Sequence, residues 1–262
     1  MNGDLPVIEA VEWRQQAPAG GSQAQIFRLA DGRFAIVKFA QNPQGETVLV
    51  NEFLCCQLAR HLLLPINEAV LVLIDEVLLP PARQQGMPAA FSAGLACGMI
   101  RFDNSEGADP VNIQLQCSNR GELHHVVAFE QVVCRGDGRQ LLMYTLPGEH
   151  EKRFAAFDYG FAFGGNPVWA AATLGAAPAV TLPANDPFTN EPYSSGNALA
   201  EFVNRLRNTT KNELMAIFMR LDPPRWGILP EDLQALGDFV DGRRLSLIQQ
   251  FDQNYPPNHL EI

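Results

Sequence analysis

The spacing of hydrophobic residues changes once along this chain, and that change constrains the fold more than any other feature of the sequence. Residues 6–13, 24–29 and 34–39 form short apolar or alternating runs separated by turn residues, including Asp31-Gly32. Alternation with a period of two is typical of strands, and Asp-Gly between two such runs indicates a hairpin. The first third therefore predicts a three-stranded antiparallel meander.

Helical periodicity follows, from about Gly45 until Pro65 stops it. Proline lacks the backbone N–H that a helix interior requires, so the helix should end before it. Strand-like runs are then expected at 69–74 and 95–102, joined by a connecting loop at 80–90. The front of the chain is thus predicted to be rich in strands and to contain one helix.

Beyond Phe102 the pattern becomes mainly helical. Helices are predicted at 120–134, 197–220 and 230–254, a hairpin at 140–146 with 153–157, and a long surface loop at 175–196. This order predicts an α+β fold with two lobes. Residues 1–104 would form a β-rich front lobe and residues 105–262 a helical rear lobe, with the boundary near 102–105.

Composition limits the classes of function. The chain has 262 residues, 47% of them hydrophobic, and a formal net charge of −10 at pH 7. A chain of this size can bury a full core without disulfides. Affinity for a nucleic-acid backbone comes from clustered Lys and Arg, so the acidic balance argues against a broad nucleic-acid surface.

The start of the chain and its cysteines indicate a cytoplasmic setting. The sequence MNGDLPVIEAVEW has no basic flank before an apolar run, so no signal peptide is predicted. No apolar stretch approaches the roughly 20 residues that span a bilayer, and no membrane partner is expected. Five cysteines without CxxC spacing favour reduced, structural thiols.

The segment Gly20-Gly21-Ser22 lies between two predicted strands. Glycines leave backbone N–H groups exposed, and such groups can cradle a phosphate. The alternative is an ordinary hairpin loop, because Gly-rich turns occur wherever a positive φ is required. The sequence leaves both interpretations open.

A single lysine interrupts the apolar run at 35–39. Lys38 can project from the sheet and neutralise the α and β phosphates of a nucleotide, or it can extend its ammonium to solvent. Glu52 follows on the predicted helix and can hold that ammonium, as a helix glutamate does in protein kinases. A polar helix face containing Asn51 and Glu52 is the alternative.

Two aspartates flank the predicted hairpin. Asp158 lies in Phe157-Asp158-Tyr159-Gly160, which matches an Asp-aromatic-Gly metal motif. A carboxylate among such residues is costly to bury without a cation, and Mg²⁺ bridging phosphates would compensate it. Asp137 occupies a short polar loop and suits a group that orients a substrate hydroxyl and accepts its proton. Structural turns at either aspartate are the alternative.

These residues fall within a longer resemblance. The chain resembles the HipA-like kinases, including their short stand-alone bacterial branch. The resembling segments are Ile36-Val37-Lys38-Phe39, Asn42-Pro43-Gln44-Gly45, Val50-Asn51-Glu52, Leu58-Ala59, Leu64-Pro65, Ala128-Phe129, Asp137, Arg139, residues 157–165, Trp226 and Arg243-Arg244.

The resemblance implies a two-lobed protein-kinase-like fold and ATP-dependent phosphotransfer to a hydroxyl, with ATP and Mg²⁺ as cofactors. A serine or threonine of a protein is the expected acceptor, so a protein substrate or partner is expected too. The implied site consists of Lys38 on the phosphates, Glu52 supporting it, Asp137 as catalytic aspartate, Asp158 on the metal, and Arg101 and Phe102 in a hinge beside the adenine.

The catalytic stretch departs from the family's pattern. The family usually carries Asp, Trp and Asn where this chain has Glu130, Val132 and Arg135. The asparagine expected a few residues after Asp137 is also missing, since Gln140 and apolar residues follow. Losing a metal ligand would slow transfer and leave nucleotide binding intact. A nucleotide-binding pseudokinase acting as a protein-interaction module is therefore the alternative function.

Overall fold

The computed structural model describes residues 6–17, 21–164, 169–220 and 226–256. The strands are β1 (Val7–Gln16), β2 (Gln25–Leu29), β3 (Phe34–Lys38), β4 (Ala69–Ile74), β5 (Gly94–Arg101), β6 (Glu106–Ala108), β7 (Gln140–Thr145) and β8 (Lys152–Phe157). The α-helices are α1 (Thr47–His61), α2 (Leu79–Gln84), α3 (Pro110–Gln116), α4 (Leu123–Val132), α5 (Ala171–Leu174), α6 (Asn197–Asn208), α7 (Lys211–Met219) and α8 (Pro230–Asn254).

The first five strands close into a barrel in the order β1-β2-β3-β5-β4. The antiparallel meander β1-β2-β3 is confirmed, and β4 closes the barrel by pairing in parallel with β1. A core of inward-facing residues, including Phe27, Val37 and Val72, fills the interior. Closure pairs every strand on both sides, which removes exposed sheet edges.

A second sheet has the order β6-β7-β8 and carries the predicted hairpin. In the β7–β8 register Gln140 faces Phe157, and Thr145 faces Lys152. Asp137 precedes β7 and Asp158 follows β8, so the two aspartates leave the same end of this hairpin. The short third strand, β6, was not predicted.

A second and larger core joins α1 to the helices of the rear part of the chain. Every residue of α1 from Val48 to Ala59 is buried. A helix that is buried on all faces must have packing partners all round it. Helix α1 therefore packs between the barrel and the rear helices.

Two predicted elements are corrected by the structure. The connecting loop at 80–90 contains α2, in which Pro80 and Pro81 occupy the first turn, where a missing N–H costs nothing. The front of the chain thus has more than one helix. The helix predicted at 197–220 is broken before Thr210, which forms a capping box with Glu213 and starts α7.

The short helices α3 and α5 were not predicted, whereas 175–196 is a loop with one isolated bridge, as expected. All five cysteines are buried and none forms a disulfide. Among the helices described, none combines the length and the apolar character needed to cross a membrane. The division into two lobes near residues 102–105 stays a prediction.

Candidate functional site

Lys38 is the last residue of β3, and its ammonium lies inside the protein between two carboxylates. The side chain is 10% exposed, contacts the Glu52 carboxylate and places Nζ 2.9 Å from Asp158 Oδ1. A lysine is rarely buried unless it is paired. The alternative of a surface lysine is therefore wrong.

Glu52 joins this ammonium to the segment that follows β8. Its side chain is 1% exposed, and Oε2 accepts a hydrogen bond from the backbone N–H of Tyr159 at 3.0 Å. Asn51 and Glu52 are both buried, so the alternative of a polar helix face is also wrong. Helix α1 positions Lys38 and the metal motif through one carboxylate.

Asn51 fastens the same segment from the next position of α1. Nδ2 donates to the Gly160 carbonyl at 2.8 Å, and Oδ1 accepts from the Trp169 indole N–H at 2.6 Å. The residue pattern predicts no such role for Asn51. The available signal was an amide between the apolar runs of a helix, because buried polar groups are nearly always hydrogen-bonded.

The backbone at Asp158 is held in an uncommon conformation. Its φ is +57°, in the left-handed region that residues other than glycine seldom adopt. Two residues later, a Cβ on Gly160 would lie 2.8 Å from Val48 Cγ1 and 3.7 Å from Lys38 Nζ. The motif needs glycine there because α1 and the lysine approach its backbone closely.

Burial and charge act in opposite directions on the three ionisable groups. Burial raises the pKa of Glu52 to about 7, although the Lys38 ammonium opposes the shift. Burial also disfavours the charged form of Lys38, but the two carboxylates outweigh it and raise the lysine pKa. Partial burial raises the pKa of Asp158, but the Lys38 ammonium outweighs this effect and lowers the pKa to about 2. At neutral pH the site holds an ammonium beside an ionised Asp158.

Asp137 lies in the loop before β7 and is engaged by an arginine. Its Oδ1 accepts a hydrogen bond from Arg135 Nε at 2.9 Å. The Gly136 N–H donates to the Phe161 carbonyl at 2.9 Å, which ties this loop to the segment carrying Asp158. The structure thus brings both aspartates to one end of the hairpin. The interaction with Arg135 was not predicted.

Gln140, the first residue of β7, belongs to the site although no role was predicted for it. Its Nε2 donates to Asp158 Oδ2 at 3.2 Å. The asparagine expected a few residues after Asp137 is absent, but Gln140 places a carboxamide beside Asp158, the predicted metal ligand. The missed signal was a polar residue directly before an apolar strand.

The predicted phosphate loop lies partly outside the described residues. Gly20 is not among them, whereas Gly21 and Ser22 lie in the turn before β2. Gln25 pairs with Val37 in the β2–β3 register, which places this turn near the end of β3 that carries Lys38. Phosphate binding by the loop stays a prediction.

The predicted hinge residues lie at the other end of β3. Arg101 pairs with Phe34, and the Phe102 ring stacks on Tyr144 with centroids 3.8 Å apart. A cavity of about 600 Å³ adjoins this end, lined by Arg14, Gln15, Ile26, Phe34, Arg101, Asp103 and Asn104. Lys38, Glu52 and Asp158 do not line this cavity.

Alternation along β3 connects the two ends. Phe34, Ile36 and Lys38 point to the same face of the strand because successive side chains alternate. Lys38 is four residue steps along the strand from Phe34, a length of about 13 Å. Ile26 pairs with Ile36 and lies on the same face. One continuous face therefore runs from the cavity to the lysine.

Solved structures of kinases are similar to this chain. The proinflammatory kinase CtkA of Helicobacter pylori is 13% identical, with a TM-score of 0.57 over 95% of this chain and 98% of that one. The Golgi casein kinase with Mn/ADP bound is 8% identical, with a TM-score of 0.51 over 98% and 75%. At these identities the likeness shows a shared kinase-like fold and nothing about substrates.

A structure of HipA from Shewanella oneidensis MR-1, with HipB and operator DNA, is 12% identical over 95% of this chain and 68% of that one. Its TM-score of 0.39 is too low to add to the assignment of the fold. No family model and no curated protein matches the sequence.

Proposed function

We propose that this chain is an ATP-dependent phosphotransferase related to the HipA-like kinases, which transfers the γ-phosphate to a serine or threonine hydroxyl of a protein. The convergence of Lys38, Glu52 and Asp158 carries the proposal. These three residues are far apart in the sequence and meet in the arrangement that kinases use to hold nucleotide phosphates.

The nucleotide would lie along the face of β3. Its adenine would enter the cavity near Arg101 and Phe102, and its phosphates would reach Lys38 under the turn at Gly21 and Ser22, with Gly20 as the third proposed phosphate-binding residue. The cavity and the lysine lie at opposite ends of one strand face, as an extended nucleotide requires. Glu52 would hold the Lys38 ammonium toward the α and β phosphates.

The residues around Asp158 fit Mg²⁺. In the described part of the chain, no group of three or more His, Cys, Asp or Glu side chains is placed to hold a metal by itself. Magnesium in nucleotide sites is usually held by one or two side-chain oxygens together with the phosphates. The Asp158 carboxylate can supply such oxygens, and Gln140, whose amide nitrogen donates to Asp158 Oδ2, would supply its carboxamide oxygen if the amide turned toward the ion. The bound ion would neutralise charge on the phosphates.

Asp137 would orient the acceptor hydroxyl and take its proton. It lies in the loop that is bonded to the segment carrying Asp158, at the same end of the β7–β8 hairpin. The kinase-like fold supports this assignment, and one of the similar kinases was crystallised with Mn/ADP. We therefore propose Asp137 as the catalytic aspartate.

Nucleotide binding and transfer test the proposal separately. ATP with MgCl₂ should raise the melting temperature of the purified protein, and labelled ATP should label the protein itself or an added protein acceptor. Lys38→Met and Asp158→Asn should abolish both effects. Lys211→Met is a matched control, because Lys211 lies on α7 and pairs with Asp238 at the surface. No melting shift at millimolar nucleotide would contradict the proposal.

The pseudokinase alternative has one observation in its favour. The Asp137 carboxylate is already paired with Arg135, a residue that stands where the family carries asparagine. Nucleotide binding without transfer to a broad panel of protein acceptors would support the alternative. Any transfer that requires Asp137 would exclude it.

A further inference from the structure

We propose that Arg135 is a positioning residue for Asp137, and that Glu130 holds Arg135 in place. The inference rests on the proposed phosphotransfer. It concerns positions at which the chain departs from the HipA-like kinases.

The Arg135 guanidinium is bonded in three directions. Nε donates to Asp137 Oδ1 at 2.9 Å, Nη2 donates to the Gly138 carbonyl at 2.8 Å, and Nη1 lies 3.4 Å from Glu130 Oε1. A planar guanidinium held at three corners cannot rotate without losing a bond. The direction of the Asp137 carboxylate is thereby coupled to that of the guanidinium.

Arg135 is also packed against the metal motif. Its side chain is 2% exposed, and its Cζ lies 4.7 Å from the centroid of the Tyr159 ring. A cation over an aromatic face is attracted more strongly when both are shielded from water. Arg135 therefore contacts Asp137 and the residue that follows Asp158, and it links the two loops of the proposed site.

Glu130, on α4, is the third residue of the network formed with Arg135 and Asp137. Its side chain is 8% exposed, and Oε2 also accepts a hydrogen bond from Arg139 Nε at 2.8 Å and lies 2.7 Å from Arg139 Nη2. A buried carboxylate is tolerated when cations and hydrogen bonds compensate it. Glu130 keeps the negative charge of the aspartate that the family carries at this position, and it lies against the guanidinium of Arg135, which replaces a neutral asparagine. The carboxylate from α4 thus compensates the charge that Arg135 introduces.

The hydrogen bond from Arg135 engages one carboxylate oxygen of Asp137 and leaves the other to accept a proton from the substrate. Oδ1 is bonded to Arg135, whereas Oδ2 accepts no hydrogen bond from the residues that the structure describes. In the proposed step the acceptor oxygen bonds to the γ-phosphorus, its proton passes to Asp137 Oδ2, and the bond from the γ-phosphorus to the β–γ bridging oxygen breaks to leave ADP. Arg135 would keep Oδ2 directed at the hydroxyl.

Kinetics of transfer test this role. Arg135→Ala should lower kcat about 100-fold, the size of effect that a misplaced catalytic group produces, with the KM for ATP unchanged. Arg135→Lys keeps the charge, but its single ammonium nitrogen cannot reach the three positions that the three guanidinium nitrogens contact, so it should restore little of the loss. In an Asp137→Asn background, Arg135→Ala should cause no further loss. Arg153→Ala is the control, because Arg153 pairs with Glu149 at the turn of the same hairpin.

A kcat of Arg135→Lys equal to that of the wild type would overturn the proposal, as would losses that multiply in the double variant. If the wild type transfers no phosphate, the proposed function fails while the positioning claim is still decided by thermal unfolding. If the double variant of Arg135→Ala and Asp137→Ala loses less melting temperature than the sum of the two single variants, Arg135 holds the Asp137 carboxylate. Additive losses would overturn this role of Arg135.

Discussion

Asn51 accepts a hydrogen bond from the indole N–H of Trp169 at 2.6 Å, across 118 residues of the chain. The same amide donates to the Gly160 carbonyl, and its neighbour Glu52 accepts the Tyr159 N–H. Two adjacent polar residues of a buried helix thus hold the segment that carries Asp158. Movement of α1 away from this segment would break all three bonds, so helix and metal motif form one unit.

Asn51→Ala should lower the free energy of unfolding by about 2–4 kcal/mol, because it leaves the Trp169 N–H and the Gly160 carbonyl buried without their partner. Urea denaturation measures the change. The matched control is Asn204→Ala, since Asn204 is exposed on α6 and its amide oxygen accepts a hydrogen bond from the exposed side chain of Arg207. A loss below about 1 kcal/mol, the range of ordinary surface substitutions, would show that Asn51 does not fasten the segment.

Gly160→Ala should destabilise the protein by about 1–3 kcal/mol, the usual cost of overpacking, because the added methyl meets Val48 Cγ1. Combining it with Val48→Ala should cost less than the sum of the two single changes, since the second substitution removes the clashing atom. Gly242→Ala is the control, because nothing lies within 4 Å of a Cβ at that helical position. Additive losses would contradict close contact between α1 and the motif.

The raised pKa of Glu52 predicts a dependence of stability on pH. Burial raises this pKa from 4.5 to about 7, so the folded state holds the proton more tightly than the unfolded state does. The Glu52 contribution to stability is therefore full below pH 4.5 and declines as pH rises to about 7. Melting temperatures of the wild type and Glu52→Gln should be compared over this range. As pH rises, the melting temperature of the wild type should fall relative to that of the variant. A difference that stays constant or changes in the opposite direction would refute the raised pKa of Glu52.

Gln140→Leu should weaken the magnesium-dependent part of ATP affinity about 10- to 100-fold, the range seen when groups around a metal site are removed. Calorimetric titration with MgCl₂ and with EDTA separates this part from binding of the nucleotide alone. Gln140→Asn keeps an amide oxygen on a shorter side chain and should lose less. Gln234→Leu, on α8, should change neither value. Equal magnesium dependence in Gln140→Leu and the wild type would exclude Gln140 from the metal site.

Local patterns predicted most of the front of the chain correctly. The strand at 69–74 coincides with β4, and the helix begun near Gly45 is α1, because strand and helix periods are readable over a few residues. The misses occur where local signals conflict. Two adjacent prolines are typical of a loop, but Pro80 and Pro81 lie in the first turn of α2, where proline is tolerated. The threonine before α7 interrupts a helical pattern that continues on both sides of it.

The candidate site was predictable in its residues but not in its connections. Lys38, Glu52 and Asp158 could be selected as unusual charges within apolar or aromatic surroundings, since such charges require compensation. The supporting roles of Asn51, Gln140 and Arg135 could not be read in the same way. Asn51 and Gln140 depend on partners distant in the sequence, which no local spacing identifies. Arg135 has nearby partners, but an arginine looks alike in a solvated loop and in a buried network.

The sequence by itself determined the kinds of element, their order and the chemical groups available to a phosphate or a cation. Only the tertiary structure decided that these groups meet. Closure of the barrel turns Lys38 toward α1, and burial of α1 on all faces brings Glu52 to the segment after β8, 120 residues from the lysine along the chain. Such contacts arise when whole helices and strands pack together, because hydrophobic burial selects which of their faces meet. The local spacing of residues does not show which faces those are.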